Sequence, residues 1–300
     1  MTNKYVLYGI RIESELPLPL HKEIFSYSDA SVKYGEKYSP PDDVGAYLYH
    51  FAVGPQKAIF HYKHVALFTI TNGSEVLVSP VADIDSEILA NAILGTPLGI
   101  LLLQRGFIVL HASAIEINGK VVCFVGKSGV GKSTTVCSLL GSGHELIADD
   151  VVAIDISASL HPEVLYGYPW MKVSKEVISA LGIPQRYVER IGHSEDKMRY
   201  IYSTKRIVEN SSARLAGLYF LGWAEDCSIC QMSMAESLIN MAKHQYGFVP
   251  KKSYPFEENQ RFLHSAKFVE KIPCFSFRRP KDLRELYHLA QIIEEHVKTL

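Results

Sequence analysis

A phosphate-binding loop at residues 126–134 constrains this 300-residue chain more than any other feature. The run GKSGVGKST matches G-x-x-x-x-G-K-[ST] in full, between an apolar stretch, VVCFV, and a helix-compatible run, STTVCSLL. The pattern works when a strand precedes the loop and a helix follows it, because backbone N–H groups and the helix N-terminus then face the phosphates. The sequence therefore predicts a nucleotide-binding α/β fold. The expected contact residues are Gly126, Lys127, Ser128, Gly129, Val130, Gly131, Lys132, Ser133 and Thr134.

Two side chains of this loop have distinct chemical tasks. Lys132 would place a positive charge near the terminal phosphates, and the Ser133 hydroxyl would be a ligand of Mg²⁺. We therefore expect ATP and Mg²⁺ as cofactors, with a helix over about residues 132–141 after the loop. The alternative is a glycine-rich turn that binds nothing.

A predicted β-hairpin brings a histidine toward the loop. Asn118-Gly119 is a strong signal for a two-residue turn, and the strand-like runs HASAIEI and KVVCFVG flank it. Counting back along both strands sets His111 opposite Gly126, where opposed Cα atoms lie about 4.5–5.5 Å apart. His111 is therefore a predicted active-site residue. The alternative is a capping or core histidine at the start of a strand.

An acidic pair follows the predicted helix. Asp149 and Asp150 lie between the strand-like runs ELIA and VVAID. Ligands of open α/β sheets bind beyond the C-terminal ends of parallel strands, so both carboxylates reach the phosphates if ELIA runs parallel to VVCFV. Phosphoryl transfer uses carboxylates there, one to hold Mg²⁺ and one to accept the proton of the attacking hydroxyl. An ordinary acidic turn is the alternative.

Composition narrows the functional class. Lys+Arg number 31 and Asp+Glu 32, which argues against a dedicated nucleic-acid binder. The five cysteines are sparse and odd in number, which argues against a disulfide-stapled secreted fold. The Cys227/Cys230 pair lacks a second pair of ligands, which argues against a zinc site.

The N-terminus has no signal-peptide pattern, and the apolar stretch 88–103, interrupted by glycine and proline, favours a buried helix pair over a membrane span. We expect a cytoplasmic protein with no nucleic-acid or membrane partner.

The chain changes character near residue 85. Residues 3–82 contain mostly short aromatic and β-branched runs typical of strands, and helical signals begin at Asp85. We predict a β-rich N-terminal part at 1–84 and a phosphate-loop domain with C-terminal helices at 85–300. Ser233 and Glu236 predict a capping box, and an apolar stripe predicts a last helix over about 281–298.

The run HASAIEINGKVVCFVGKSGVGKST, followed by GHELIADDVVAID, resembles the catalytic core of the HPr kinase/phosphorylase family. A histidine before the loop and a G-H-x-L-x-A-D-D-like segment after it carry the resemblance, with Asp149 seventeen residues after Lys132. It implies a phosphate-loop core on a mixed sheet with flanking helices and an ATP-dependent phosphotransferase activity. It further implies Asp149 as general base, His111 as its partner, Lys132 in catalysis, and Ser133 and Asp150 as Mg²⁺ ligands.

The resemblance is incomplete in one segment and extends to a subgroup in another. The E-I-R-G-L-G-like motif of bacterial HPr kinases, whose glutamate assists Mg²⁺, has no counterpart in this sequence. The run YGYPWMKVS at 166–174 occupies its approximate place, and Glu163 is a weak candidate for the missing glutamate. The opening YGIRIESELPLPL resembles a divergent HPr kinase-like subgroup found with peptide-modification systems, including those of lasso peptides. This implies a peptide or protein substrate with an acceptor serine, above all a precursor peptide, and a homo-oligomer. Kinases of small hydroxylated metabolites and nucleotide switches without transfer activity are the alternatives.

Further residues are candidates for binding phosphate, a peptide carboxylate or the acceptor. For each of them the alternative is a solvated surface pair or a place in the core. They are Asp196-Lys197, Lys205-Arg206, Arg278-Arg279, Tyr168, Pro169, Trp170 and Lys172.

Overall fold

The computed structural model describes residues 2–39, 48–53, 56–157, 161–168, 170–190, 197–201, 212–246 and 255–300. The chain divides into two compact units. The first consists of Met1–Val109 and Tyr246–Phe262, and the second of Leu110–Gln245 and Leu263–Leu300. The predicted division between residues 84 and 85 therefore falls inside the first unit, where the two helices after it join the β-rich part.

A seven-stranded mixed sheet forms the first unit. Its strands are β1 (Asn3–Leu7), β2 (Ile10–Ser14), β3 (Ala30–Tyr34), β4 (Leu48–Val53), β5 (Lys57–Tyr62), β6 (Ala66–Thr71) and β7 (Glu75–Pro80). Their order is β1-β2-β3-β7-β6-β5-β4, with β3 parallel to both of its neighbours and all other pairs antiparallel. Burial alternates along β6, because successive side chains of a strand point to opposite faces.

Two helices follow this sheet, as predicted: α1 (Ser86–Ile93) and α2 (Thr96–Gln104), the second packed against β6 and β7. Asp85 caps α1 by accepting the N–H groups of Glu87 and Ile88. The N-cap of α2 is Gly95, and Thr96 is its first helical residue. By length and composition Ser86–Gln104 is apolar enough to cross a membrane, and 67% of its most apolar window is buried inside the protein.

The remaining elements belong to the second unit, except where an element spans the division. The strands are β8 (Ile108–Leu110), β9 (Ala112–Ile117), β10 (Lys120–Val125), β11 (Glu145–Asp149), β12 (Val152–Asp155), β13 (Glu163–Leu165), β14 (Trp170–Ser174), β15 (Val188–Arg190), β16 (Lys197–Ile201), β17 (Ser212–Trp223), β18 (Ser228–Gln231) and β19 (Cys274–Arg279). The helices are α3 (Lys132–Gly141), α4 (Lys175–Ala180), α5 (Met234–His244), α6 (Pro255–Val269) and α7 (Leu286–Lys298).

A mixed sheet carries the phosphate loop in this unit, as predicted. Its strands run in the order β11-β9-β10-β17-β13-β12, with β19 next to β17 and β18 next to β19. The strand before the loop, β10, is parallel to β17, and β17 is parallel to β19. On the other side β9 is antiparallel to both β10 and β11, so β11 runs in the same direction as β10. A small antiparallel sheet, β14-β16-β15, completes the unit.

Helices flank this sheet and close its core. α3 packs against α7, whose buried residues include Leu286, Leu289, Ile293 and Val297. Leu283, placed in the same stripe by periodicity, lies in a 3₁₀ turn before α7 and is exposed. The predicted capping box at the start of α5 is confirmed, with Ser233 and Glu236 each bonding the other's backbone N–H.

Candidate active site

The hairpin before the phosphate loop has the predicted register. Lys120 pairs with Ile117 and the ladder continues without a bulge to Val125, which pairs with Ala112. His111 directly precedes Ala112 of this last pair, so the register set by the Asn118-Gly119 turn places it beside the phosphate loop. Asn118 and Gly119 both adopt positive φ, as a tight two-residue turn requires.

The loop itself forms a turn between β10 and α3. Gly129 and Gly131 have φ of +81° and +89°, the left-handed region that favours glycine. The Lys132 side chain is buried and its ammonium donates to the carbonyl of Gly126 at 2.9 Å. Burial lowers the pKa of Lys132, while the charges of Asp149 and Asp150 oppose that shift. A buried ammonium beside the loop is arranged to gain an anionic partner.

Asp149 lies beneath the N-terminal turn of α3. Its carboxylate accepts hydrogen bonds from the hydroxyl of Ser113 at 2.5 Å and from that of Ser133 at 3.3 Å, and one from the backbone N–H of Lys172 at 3.3 Å. Only 3% of the residue is exposed. Burial, followed by the charge of Asp150, raises the pKa of Asp149, because both disfavour its ionised form. A cation next to Ser133 would offset both effects.

Asp150 faces a different environment from its neighbour. Its carboxylate lies 3.1 Å from His111 Nε2 and 3.3 Å from Lys172 Nζ. Burial favours the neutral acid, but the hydrogen bond from His111 and the charge of Lys172 outweigh it and lower the pKa of Asp150. The side chain is 28% exposed, so it is more accessible than Asp149. Asp150 is thus held as an accessible carboxylate.

A left-handed backbone at Asp150 separates the two carboxylates. Asp150 has φ of +68°, and the N–H of Val151 bonds the carbonyl of Asp149 at 2.8 Å across it, which is the hydrogen bond of a γ-turn. Such a conformation is strained for a residue with a side chain and recurs at functional sites. The turn ends β11 and directs Asp150 toward His111. In this structure His111 therefore pairs with Asp150, whereas the family resemblance implied Asp149 as its partner.

Three residues at this site were missed or undervalued by sequence reasoning. Ser113 lies opposite Asp149 in the β9–β11 ladder, a register that no turn residue announced. Lys172, named only as an acceptor-groove candidate, contacts both aspartates from β14. His244 ends α5; its carbonyl accepts the His111 N–H, and burial, with the nearby charges of Lys132 and His111, lowers its pKa to about 4.

The remaining candidates have mixed outcomes. Arg279 is buried and donates to the loop carbonyls of Val130 and Gly131, so the solvated alternative is wrong for it. Tyr168 and Trp170 are buried and stacked at 4.3 Å, which supports a place in the core. Pro169, Asp196, Lys205 and Arg206 lie outside the described residues, and for Lys197 only its backbone place in β16 is described.

The site fits Mg²⁺ in the way that nucleotide-dependent enzymes hold it. Among the described residues, no group of three or more His, Cys, Asp and Glu side chains could hold a metal ion. Mg²⁺ is usually bound by one or two carboxylates together with substrate phosphates, so a complete protein cage is not required. The hydroxyl of Ser133 and the adjacent carboxylate of Asp149 supply hard oxygen ligands of this kind.

Residues 106–183 match the family model of the HPr Serine kinase C-terminal domain. This core is HPr kinase-like. The match spans β9, the phosphate loop, both aspartates and Lys172, so every group of the site just described except His244 and Arg279 lies within it. It confirms the resemblance that the histidine, loop and acidic pair had indicated.

Individual relatives cover the same region. The HPr kinase/phosphorylase of Geobacillus thermodenitrificans is 30% identical over 118 aligned positions, which cover 31% of this chain and 38% of the relative. That of Clostridium beijerinckii is 24% identical over 132 positions, covering 44% and 38%. Over a shorter stretch of 45 residues the Bacillus licheniformis protein is 47% identical. The chain thus spans less than two fifths of the length of the curated relatives it matches.

Among solved structures, the Hpr(Ser) kinase/phosphatase from Coxiella burnetii aligns with 64% of this chain and 94% of its own length. The sequence identity is 11% and the TM-score is 0.33. The HPr kinase-like assignment therefore rests on the sequence match and on the site.

Proposed function

We propose that this protein is an ATP- and Mg²⁺-dependent kinase that transfers the γ-phosphoryl group to a serine hydroxyl of a peptide or protein. The observation that carries the proposal is that two carboxylates lie at the phosphate loop and contact different side chains. Asp149 contacts Ser133, and Asp150 is hydrogen-bonded to His111 and ion-paired with Lys172. Phosphoryl transfer uses two such groups, one at the metal and one at the attacking hydroxyl.

The surroundings of the aspartates support an exchange of the roles expected from the resemblance. Asp149 is buried against the hydroxyl of Ser133, a position suited to holding Mg²⁺, which would supply positive charge to the phosphates when bound. Asp150 is more exposed, so an incoming serine hydroxyl can reach its carboxylate and transfer its proton there. His111 and Lys172 orient that carboxylate, and Lys132 directs its positive charge at the phosphates.

The proposed acceptor of the phosphoryl group is a serine of a precursor peptide. The supporting feature is the resemblance of the opening segment YGIRIESELPLPL to the peptide-modifying subgroup. The relatives, named HPr kinase/phosphorylases, act on a protein by their printed names. A serine in a peptide and a serine in a protein have the same acceptor hydroxyl, so an assay has to distinguish the two kinds of substrate.

The decisive assay incubates the full chain with Mg²⁺ and γ-labelled ATP, with precursor peptides ending in serine, the same peptides ending in alanine, and HPr. We expect label on the serine peptide and not on its alanine partner. Transfer to HPr alone would replace the peptide acceptor. Nucleotide binding without transfer to any acceptor would contradict the kinase proposal in favour of a small-metabolite acceptor or a nucleotide switch.

A Mg²⁺ titration of two variants separates the roles of the aspartates. Asp150→Asn should lower kcat by about 10²- to 10⁴-fold, the usual contribution of a general base, with the Mg²⁺ requirement for ATP binding unchanged. Asp149→Asn should raise the Mg²⁺ concentration needed for binding. Asp83→Asn, which removes an exposed carboxylate in the first unit, is the control and should change neither. The reverse pattern would restore Asp149 as the base.

A further inference from the structure

Two residues outside the family match lie on the side of the phosphate loop away from the acidic pair. Trp223 ends β17 and Arg279 ends β19, and these strands are parallel to β10 and to each other. Their C-terminal ends therefore meet at the edge where the loop begins. β11, which ends at Asp149 of the acidic pair, lies beyond β9 on the opposite side of β10. The phosphate loop thus has an acidic end and a second end formed by Trp223 and Arg279.

Arg279 packs against the phosphate loop and is hydrogen-bonded to it. It is 2% exposed, and its Nη2 donates to the carbonyls of Val130 at 3.3 Å and Gly131 at 3.1 Å. Its Nε is buried with no hydrogen-bond partner among the described residues. The guanidinium carbon lies 4.6 Å from the centroid of the Trp223 ring, within the range of a cation–π contact. Arg279 therefore fixes the indole relative to the loop.

Trp223 is the exposed member of this pair. The residue is 40% exposed although a guanidinium covers it at cation–π distance. A Cβ atom at Gly131 would lie 3.4 Å from Cη2 of the indole, so the ring borders the last glycine before Lys132. An aromatic ring that is rigidly held and partly open to solvent suits stacking against another flat, delocalised group.

We propose that Trp223 is the stacking platform for the base of the bound nucleotide, with Arg279 positioning the ring. This rests on the proposed function, since the base must belong to a nucleotide whose phosphates occupy the loop. The γ-phosphate end has to face the acidic pair, where the acceptor hydroxyl attacks. The base then extends to the opposite side of β10, where β17 and β19 end. Stacking is tolerant of base identity, so purine triphosphates in general are the expected ligands.

The test compares two ligands that share a phosphate chain and differ in the base. Calorimetry measures binding of ATP and of inorganic tripolyphosphate, each with Mg²⁺, to the parent protein and to the variants Trp223→Ala, Trp223→Phe and Tyr287→Ala. Tyr287 is an exposed aromatic residue of α7 and serves as the matched control. GTP replaces ATP in a parallel series.

We expect Trp223→Ala to weaken ATP and GTP binding about tenfold or more, as loss of a base stack does, and to leave tripolyphosphate within about twofold. Trp223→Phe should retain most of the affinity, and Tyr287→Ala all of it. Equal ATP affinity in Trp223→Ala, or an equal loss for tripolyphosphate, would overturn the platform. A parent protein that bound neither ligand would instead refute the proposed nucleotide site itself.

Discussion

The carboxylate of Asp149 lies 3.3 Å from the hydroxyl of Ser133, although the two residues belong to different elements. β11 terminates at Asp149, and Ser133 is in the first turn of α3. The contact places a buried negative charge under the phosphate loop, where burial and the charge of Asp150 both oppose ionisation. The site is therefore arranged at some cost in stability for a positively charged ligand, and this relationship leads to the first prediction.

Asp149→Asn should stabilise the ligand-free protein at neutral pH, and this advantage should depend on pH. The amide keeps an oxygen that accepts from Ser113 and removes a buried charge, a change of the kind that gains about 0.5–2 kcal/mol at functional sites. A raised carboxyl pKa means that the parent loses stability as pH rises through the folded-state pKa, so the advantage of the variant should shrink as the pH is lowered from 7 toward the ordinary aspartate pKa of 3.8. Thermal unfolding across that range checks both points. A variant less stable than the parent at pH 7 would contradict this account.

Lys172→Met should move the acid limb of the pH–rate profile to higher pH. Lys172 Nζ lies 3.3 Å from Asp150, and its charge helps to lower the pKa of that carboxyl. Without it, Asp150 takes up a proton at higher pH and loses the ionised form needed to accept one. The measurement is kcat/KM against pH with saturating Mg²⁺. Lys175→Met, which removes an exposed lysine of α4, should leave the profile in place. Superimposable profiles for parent and Lys172→Met would exclude the role.

Ser113→Ala should destabilise the protein by about 1–3 kcal/mol, the cost of leaving a buried acceptor with one bond fewer. Its hydroxyl donates to Asp149 at 2.5 Å in a fully buried position. The loss should be smaller in the Asp149→Asn background, where the acceptor is neutral, and denaturant unfolding of the double-mutant cycle measures this coupling. Additive losses would show that Ser113 acts independently of the carboxylate.

Gly131→Ala should displace the Arg279 side chain from the phosphate loop and weaken ATP binding. Gly131 has φ of +89°, and an added Cβ would lie 2.1 Å from Nη2 of Arg279. Gly119→Ala is the matched control, since its φ is +81° and nothing lies within 4 Å of the added Cβ. Both variants carry the strain of a left-handed residue, about 1–2 kcal/mol, but only Gly131→Ala should also lose ATP binding. Equal ATP affinities in the two variants would refute the tight fit.

Much of the site was predictable because its signals are local. The Asn118-Gly119 turn set the register of β9 and β10, which placed His111 beside the loop. The glycine spacing and the flanking runs located α3 to the residue. Short turns and glycine positions act through backbone conformation over a few residues, so the sequence carries them directly.

The partners of these residues were decided by the tertiary structure. Asp149 and Asp150 are indistinguishable as neighbours in sequence, and only the left-handed φ of Asp150 sends one carboxylate to Ser133 and the other to His111. Likewise, no local pattern brought Lys172 to the acidic pair.

The phosphate loop, the hairpin and the HPr kinase-like class of the core could all be predicted from the sequence, because each depends on residues close together in the chain. The different contacts of the two aspartates and the contact between Trp223 and Arg279 could not be predicted from such local patterns. Those features depend on which distant strands are neighbours in the sheet, and strand adjacency is set by the packing of the whole unit rather than by any local run of residues.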